Sequence, residues 1–181
     1  MSAKSSKVGG SGSIADEKPL DFNSLQSSLR LVPETLKNMA DSLSTDTLSI
    51  PASDNDWSFL EHVCHLRDIE SEGYSVRIRR ILAEEDPVLL DIDGARLAAE
   101  RNYMSEGFAN ALAAFTRERM QNVETVSGLS IQQLNRTAKF GDAGPITLLD
   151  LLGMIFNHDQ EHLKQLEELL GFLSSDKDAS A

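Results

Sequence analysis

Residues 147–170, with the sequence TLLDLLGMIFNHDQEHLKQLEELL, decide the fold of this chain. Apolar side chains recur in this stretch at three- and four-residue steps, which is the pattern of a helix that buries one face. His158 and His162 fall on the same stripe, one helical turn apart. Thr147, followed three residues later by Asp150, is typical of a helix N-terminus. The stretch therefore predicts a long amphipathic helix with two histidines that point inward.

Three other segments predict amphipathic helices of the same type. The four predicted helices span about 21–43, 58–82, 95–126 and 147–171, and Gly171 suits the end of the last one. Ser58 with Glu61 predicts a capping box for the second helix. Segments 45–57 and 130–145 contain proline or glycine breakers and are expected to be irregular. These features predict an all-α four-helix bundle over 20–172, with flexible tails at 1–19 and 173–181.

The connection between helices two and three, about 83–94, decides the topology. Helix two is about 37 Å long at ~1.5 Å per residue, and a dozen extended residues reach about 40 Å. The link is therefore long enough to cross the whole bundle and to leave helices two and three parallel. A simple antiparallel turn stays possible, because the apolar residues of the link would pack in either arrangement.

Composition excludes several classes of function. The chain has 181 residues, 40% of them hydrophobic, which suits one domain with one core. Its 17 basic and 29 acidic residues give a formal net charge of −12, which argues against binding to nucleic acid or to an anionic membrane. The single cysteine, Cys64, cannot form an internal disulfide, and no secretory or membrane-spanning segment is visible. The predicted location is the cytoplasm.

The four histidines of the chain predict a metal site. A four-residue step on a helix leaves two side chains only about 40° apart, so His158 and His162 can converge on one ion. The alternative is a pair of hydrogen-bonded core histidines. A third ligand would come from helix two, where His62 lies deeper in the apolar arc. His65 lies at the edge of that arc, where a ligand can leave one coordination position open. The residues alone leave both histidines as candidates.

Other polar residues have two interpretations each. Asp68 could orient an imidazole or could be a solvated carboxylate. Tyr74, Arg101 and Tyr103 are candidates for substrate binding only by their polarity, and boundary side chains are the simpler interpretation. Cys64 is expected to be a buried thiol.

Structural roles are the preferred interpretation for a further group of residues near helix two and helix four. Trp57 is expected to pack the start of helix two onto the core. The basic cluster Arg77, Arg79 and Arg80 is expected to pair with Glu84 and Glu85. Asp159 and Glu161, beside the last two histidines, point away from them.

Three motifs resemble the DinB-like metal-binding four-helix bundles. They are Trp57-Ser58-x-x-Glu61, His65-Leu66-x-Asp68-x-Glu70 and Asn157-His158-x-x-x-His162-x-x-Gln165. The resemblance covers roughly 20–170 and implies a long crossover between helices two and three. It also implies a homodimer and a divalent ion, nickel or zinc, on His65, His158 and His162. It is this resemblance that favours His65 over His62.

The resemblance also suggests a chemistry. Some relatives are S-transferases or isomerases that use a low-molecular-weight thiol, and a three-histidine ion with an open position can activate a thiol or water. The hypothesis is therefore a metal-dependent transferase or hydrolase that acts on a small electrophile. The alternative is a non-catalytic, stress-associated bundle with a structural or vestigial ion. No catalytic side chain is predicted.

Overall fold

The computed structural model describes residues 21–53, 56–141 and 144–179, so the predicted tail at 1–19 lies outside the described residues. The helices are α1 (Phe22–Ala40), α2 (Phe59–Asp68), α3 (Ser75–Ala83), α4 (Gly94–Glu100), α5 (Phe108–Ser127), α6 (Ile131–Leu134) and α7 (Leu148–Ala179). The strands are β1 (Val88–Leu89), β2 (Thr137–Phe140) and β3 (Pro145–Thr147). A π-helical turn, Ile69–Tyr74, joins α2 to α3, so that these three pieces form one rod. No helix in the described part of the chain is long and apolar enough to cross a membrane.

Four rods form the bundle: α1, the rod from α2 to α3, α5 and α7. The α2–α3 rod is parallel to α5, because Phe59 contacts Phe108 at one end, with ring centroids 5.7 Å apart, and Ser75 bonds Asn122 further along. The α1 helix is antiparallel to α5, because its Gln26 donates to the carbonyl of Val123. The prediction of a four-helix bundle with parallel second and third rods is confirmed.

The crossover between these parallel rods is longer than the sequence predicts. The predicted third helix, 95–126, is wrong as a single element, because the chain forms the short helix α4, breaks at Asn102 and begins α5 only after Gly107. Asn102 has a positive φ of 24°, a conformation that asparagine tolerates better than most residues. Tyr103, just after the break, donates to Asp68 on α2, which ties the crossover to the bundle.

A small sheet closes one end of the bundle. Strand β1 lies in the crossover and pairs in parallel with β2, which pairs antiparallel with β3. The sheet buries Leu89, Ala138 and Ile146 against the same apolar cluster as Ile81 of α3. The prediction that 130–145 is irregular is therefore wrong for α6 and β2.

Two predicted helix starts are confirmed and one predicted end is wrong. Ser58 and Glu61 form a capping box, and Thr147 and Asp150 exchange the equivalent bonds at the start of α7. The α7 helix continues past Gly171 to Ala179, so 173–179 of the predicted tail are helical. Leu173 is buried against the core and extends the apolar stripe beyond the glycine, which explains the continuation.

Polar groups divide the core into two apolar halves. One half lies toward the sheet and the other lies around Phe59, Phe115 and Leu166. The apolar stripe of α7 is interrupted between Ile155 and Leu166 by buried Asp159 and His162. Buried polar side chains therefore occupy the middle of the bundle.

Candidate metal centre

Three imidazoles, one from α2 and two from α7, meet in the middle of the bundle. The Nε2 atom of His158 lies 3.3 Å from Nε2 of His65 and 3.2 Å from Nε2 of His162. One nitrogen from each ring lies within 4.8 Å of the other two. The helices that carry them are antiparallel, and each presents the face that the apolar stripe turns inward. The structure thus brings together the three histidines that the family resemblance implies.

The spacing and the donor type fit one divalent ion. Two nitrogens that bind the same zinc ion at about 2.1 Å, with an angle between roughly 90° and 109°, lie about 3.0–3.4 Å apart. The two short separations of the cluster lie in that range. Imidazole suits zinc, copper, iron and nickel, whereas calcium and magnesium prefer oxygen ligands. A late first-row divalent metal is the type of ion that these donors fit.

The cluster is also in the protonation state that a metal requires. Burial, together with neighbouring histidines for His65 and neighbouring arginines for His158, lowers the pKa of each ring to about 4. Burial, together with the other histidines, lowers the pKa of His162 to about 2. The imidazoles are therefore neutral near pH 7, and a neutral imidazole keeps a lone pair for a metal.

His62 lies beside this cluster instead of within it. Its Nδ1 atom is 3.0 Å from Nδ1 of His162, on the side of that ring opposite to the cluster. His62 is only 5% exposed, in agreement with the deep position that the helical wheel predicts. Depth does not put it among the three converging nitrogens, because His65, three residues further along α2, is the one that faces His158.

Trp57 covers the histidines, and a cavity opens beside it. The indole is parallel to the ring of His162, with centroids 6.1 Å apart, and it tilts over His65 at 4.8 Å. The sequence predicts Trp57 as a core contact at the start of helix two, and it does not predict this position over the histidines. The cavity has a volume of about 560 Å³ and includes Asp56, Trp57, His62, His162, Gln165 and Glu168 in its wall. A small molecule in this cavity would lie next to His62 and His162.

Comparison with known proteins identifies the family. The family model of the DinB superfamily matches residues 28–166, which include all three converging histidines. The chain belongs to the DinB superfamily. A curated relative, YfiT of Bacillus subtilis (strain 168), is 25% identical over 142 residues, which are 78% of this chain and 79% of the relative. Its name gives metal-dependent hydrolase as a provisional activity.

A solved structure shows the same fold. YfiT from Bacillus subtilis, described as a probable metal-dependent hydrolase with an unusual four-helix bundle topology, superposes with a TM-score of 0.77 at 22% identity. The match covers 88% of this chain and 93% of the YfiT chain. The fold of this DinB bundle is thus shared along almost the whole length of both proteins.

The crossover of this DinB chain contacts the cluster through Gly94. This residue begins α4, and a methyl group on its Cα would overlap Cε1 of His65 and lie 3.2 Å from Nδ1. That Nδ1 atom is buried and has no hydrogen-bond partner among the residues that the structure describes. On its Nδ1 side the His65 ring is therefore held by van der Waals contact with the crossover backbone and not by a hydrogen bond.

Replacement of Gly94 by alanine is expected to weaken zinc binding by about tenfold or more, because the new methyl group must push the His65 ring away from the other two. Competition with a chromophoric chelator measures the affinity. Gly107→Ala in the same crossover is the control, because its Cβ would meet only Asn110, at 3.6 Å. Equal affinities for both variants would show that Gly94 does not set the ring position.

Asp68 has neither of the two predicted roles. It is 2% exposed, so it is not a solvated carboxylate, and its oxygens accept from Arg67 and from the hydroxyl of Tyr103 at 2.8 Å each. Arg101 also lies 2.8 Å from it. Tyr103 and Arg101 therefore fasten the crossover to α2 and do not line the cavity. Their predicted place at the boundary of the bundle, as opposed to substrate binding, agrees with these contacts.

The remaining residues with a predicted role lie on the α2–α3 rod, and their surroundings differ. Tyr74 packs its ring edge-on against His158 at 5.9 Å, and burial raises its pKa to about 12. Cys64 is fully buried, as predicted, and burial raises the pKa of its thiol to about 12. Arg80 pairs with Glu84 as predicted, whereas Arg77 is buried and donates to the carbonyl of Leu90 in the crossover.

A buried ionic network next to the cluster was missed by the sequence interpretation. Arg119 of α5 is 1% exposed and donates to both oxygens of Asp159, at 2.6 and 3.0 Å, and to Glu70 at 2.9 Å. Asn122 donates to the other oxygen of Glu70. Arg119 lies four residues after Phe115 on an apolar face, and that placement was the available signal. The network joins three rods directly behind His158, the neighbour of Asp159.

Proposed function

We propose that this DinB protein is a metal-dependent enzyme that holds one divalent ion on His65, His158 and His162. The ion is zinc or nickel, and the reaction is the transfer of a thiol to a small electrophile or the hydrolysis of that electrophile. The observation that carries this proposal is the meeting of three imidazole nitrogens, one of which belongs to His162, a residue in the wall of an open cavity of about 560 Å³.

The chain's own residues would divide the work as follows. His65, His158 and His162 would hold the ion, which when bound lowers the pKa of a thiol or a water and so supplies a nucleophile near neutral pH. Trp57 shields one side of the histidines from solvent through its contacts with His65 and His162. The cavity beside Trp57 would receive the electrophile, because it reaches the ring of His162.

Hydrolysis and thiol transfer draw support from different observations. The description of YfiT as a metal-dependent hydrolase supports water as the nucleophile. The family resemblance noted above supports a low-molecular-weight thiol instead. Both reactions use the same three ligands and one position for the nucleophile, so the choice between them depends on what fills the cavity. Homodimer formation, which the resemblance implies, and a cytoplasmic location, which the single cysteine favours, belong to the same proposal.

Cobalt-loaded protein should change its visible spectrum when 2-mercaptoethanol is added, because a thiolate that enters the open position becomes a cobalt ligand. Absorption spectroscopy at increasing thiol concentration measures the change. The His65→Ala variant, treated identically, controls for thiol and cobalt in solution. A spectrum that stays unchanged with thiol and across neutral pH would mean a closed site, and it would favour a structural ion in a non-catalytic bundle.

A further inference from the structure

His62 and His162 form a hydrogen-bonded pair that the ligand set does not use. Their Nδ1 atoms are 3.0 Å apart, and the two residues are 5% and 7% exposed. His62 also contributes to the cavity wall. Its second nitrogen, Nε2, has no hydrogen-bond partner among the residues that the structure describes. Nδ1 of His62 is thus hydrogen-bonded to a candidate metal ligand, and Nε2 is free to bond a molecule in the cavity.

The hydrogen atom of the bond between His62 and His162 can be on Nδ1 of either ring. A neutral imidazole carries one N–H, so one of the two Nδ1 atoms must donate and the other must accept. The Nε2 atom of His162 faces the cluster, 3.2 Å from Nε2 of His158. If that Nε2 lone pair binds an ion, as the proposed function requires, the hydrogen of His162 must be on Nδ1. His62 must then accept at Nδ1 and carry its own hydrogen on Nε2.

We infer that His62 is a positioning residue for His162 and, through the same bond, a hydrogen-bond donor to the molecule that occupies the cavity. It fixes the His162 ring by accepting from Nδ1–H, as partners of metal-bound histidines do. Its Nε2–H is then available to an acceptor atom, so the substrate class is an electrophile with an acceptor oxygen, such as a carbonyl or phosphoryl oxygen. This inference rests on the proposed function.

The tautomers can be observed directly. In zinc-loaded protein labelled with ¹⁵N-histidine, long-range ¹H–¹⁵N correlation spectra should show His62 with its hydrogen on Nε2 and His162 with its hydrogen on Nδ1. Four histidines in the chain make assignment by single substitution practical. A hydrogen on Nδ1 of His62 overturns the inference and leaves zinc binding intact. Failure of the wild type to bind zinc overturns both the inference and the proposed function.

Two substitutions separate positioning from simple packing. His62→Phe removes the acceptor and should weaken zinc binding by roughly 10- to 100-fold. His62→Asn keeps an acceptor oxygen near the place of Nδ1 and should stay within about threefold of the wild type, since the bond to His162 survives. Chelator competition gives the affinities, and circular dichroism checks the fold. Equal affinity for wild type and His62→Phe, or equal losses in both folded variants, would overturn the positioning role.

Discussion

Replacement of His65 by alanine is expected to reduce bound zinc from about one equivalent to less than about a tenth. The two remaining imidazoles, His158 and His162, come from one turn of one helix, and the α2 side of the cluster would offer no nitrogen within 3.3 Å of His158. The amount of metal is measured by elemental analysis of protein purified without metal-affinity resin, incubated with zinc and desalted.

His62→Asn is the matched control for this result. It changes a histidine one turn away on the same helix, but it leaves all three converging nitrogens in place. It should retain about one equivalent of zinc at saturating metal. Normal zinc content in His65→Ala would contradict the ligand set. Loss of zinc only in His62→Asn would make His62 the ligand from α2.

Replacement of Arg119 by methionine is expected to lower the free energy of unfolding by about 3–5 kcal/mol. The guanidinium is the only cation that bonds to Glu70 and Asp159 among the residues the structure describes, and these carboxylates are 1% and 0% exposed. Without it, two carboxylates would stay buried and unpaired, because methionine fills the space but donates no hydrogen bond. For a domain of this size the melting temperature should fall by roughly 10 °C.

Arg117→Met provides the comparison for the Arg119 variant. Arg117 lies on the same helix, but its side chain is 69% exposed and its nearest carboxylate, Glu118, is 3.6 Å away. Its replacement should change stability by less than about 0.5 kcal/mol. Urea unfolding of both apo proteins measures the difference. Similar stabilities for the two variants would show that the buried network contributes little to folding.

The local features of the fold could be predicted from the sequence because they depend on near neighbours in the chain. The capping boxes at Ser58 and Thr147 need only a hydroxyl and an acidic residue three positions later. The apolar stripe of α7 likewise needs only its own period, and it placed His158 and His162 side by side. The bundle and two of the three histidines of the cluster therefore follow from periodicity and capping.

The choice between His62 and His65 could not be made from periodicity, because both lie on the inward side of α2. Their different roles depend on the register between α2 and α7, which puts His65 opposite His158 and His62 opposite His162. Such register is a property of the packed pair of helices and not of either sequence segment. The resemblance to the family supplied that missing information.

Other features were missed because their partners are distant in the chain. Strand β2 pairs with β1 in the crossover, about fifty residues earlier, so its short segment shows little strand pattern of its own. Arg119 looks like a surface arginine until Glu70 and Asp159 are brought to it from two other rods. The break at Asn102 divides what looks like one helical period into α4 and α5.

The π turn Ile69–Tyr74 sets the angular phase between the two halves of its rod. The half before it carries His65, and the half after it carries Arg77, which holds the crossover by the carbonyl of Leu90. Such a turn accommodates one residue more than an α-helix, and each residue corresponds to about 100° of rotation. The turn therefore absorbs one extra residue in the rod, so that the segment after it does not rotate by the full ~100°. The extra residue lies in the segment that carries Glu70, which bonds Arg119 and Asn122. Relatives should therefore vary more at exposed Glu72 than at Glu70.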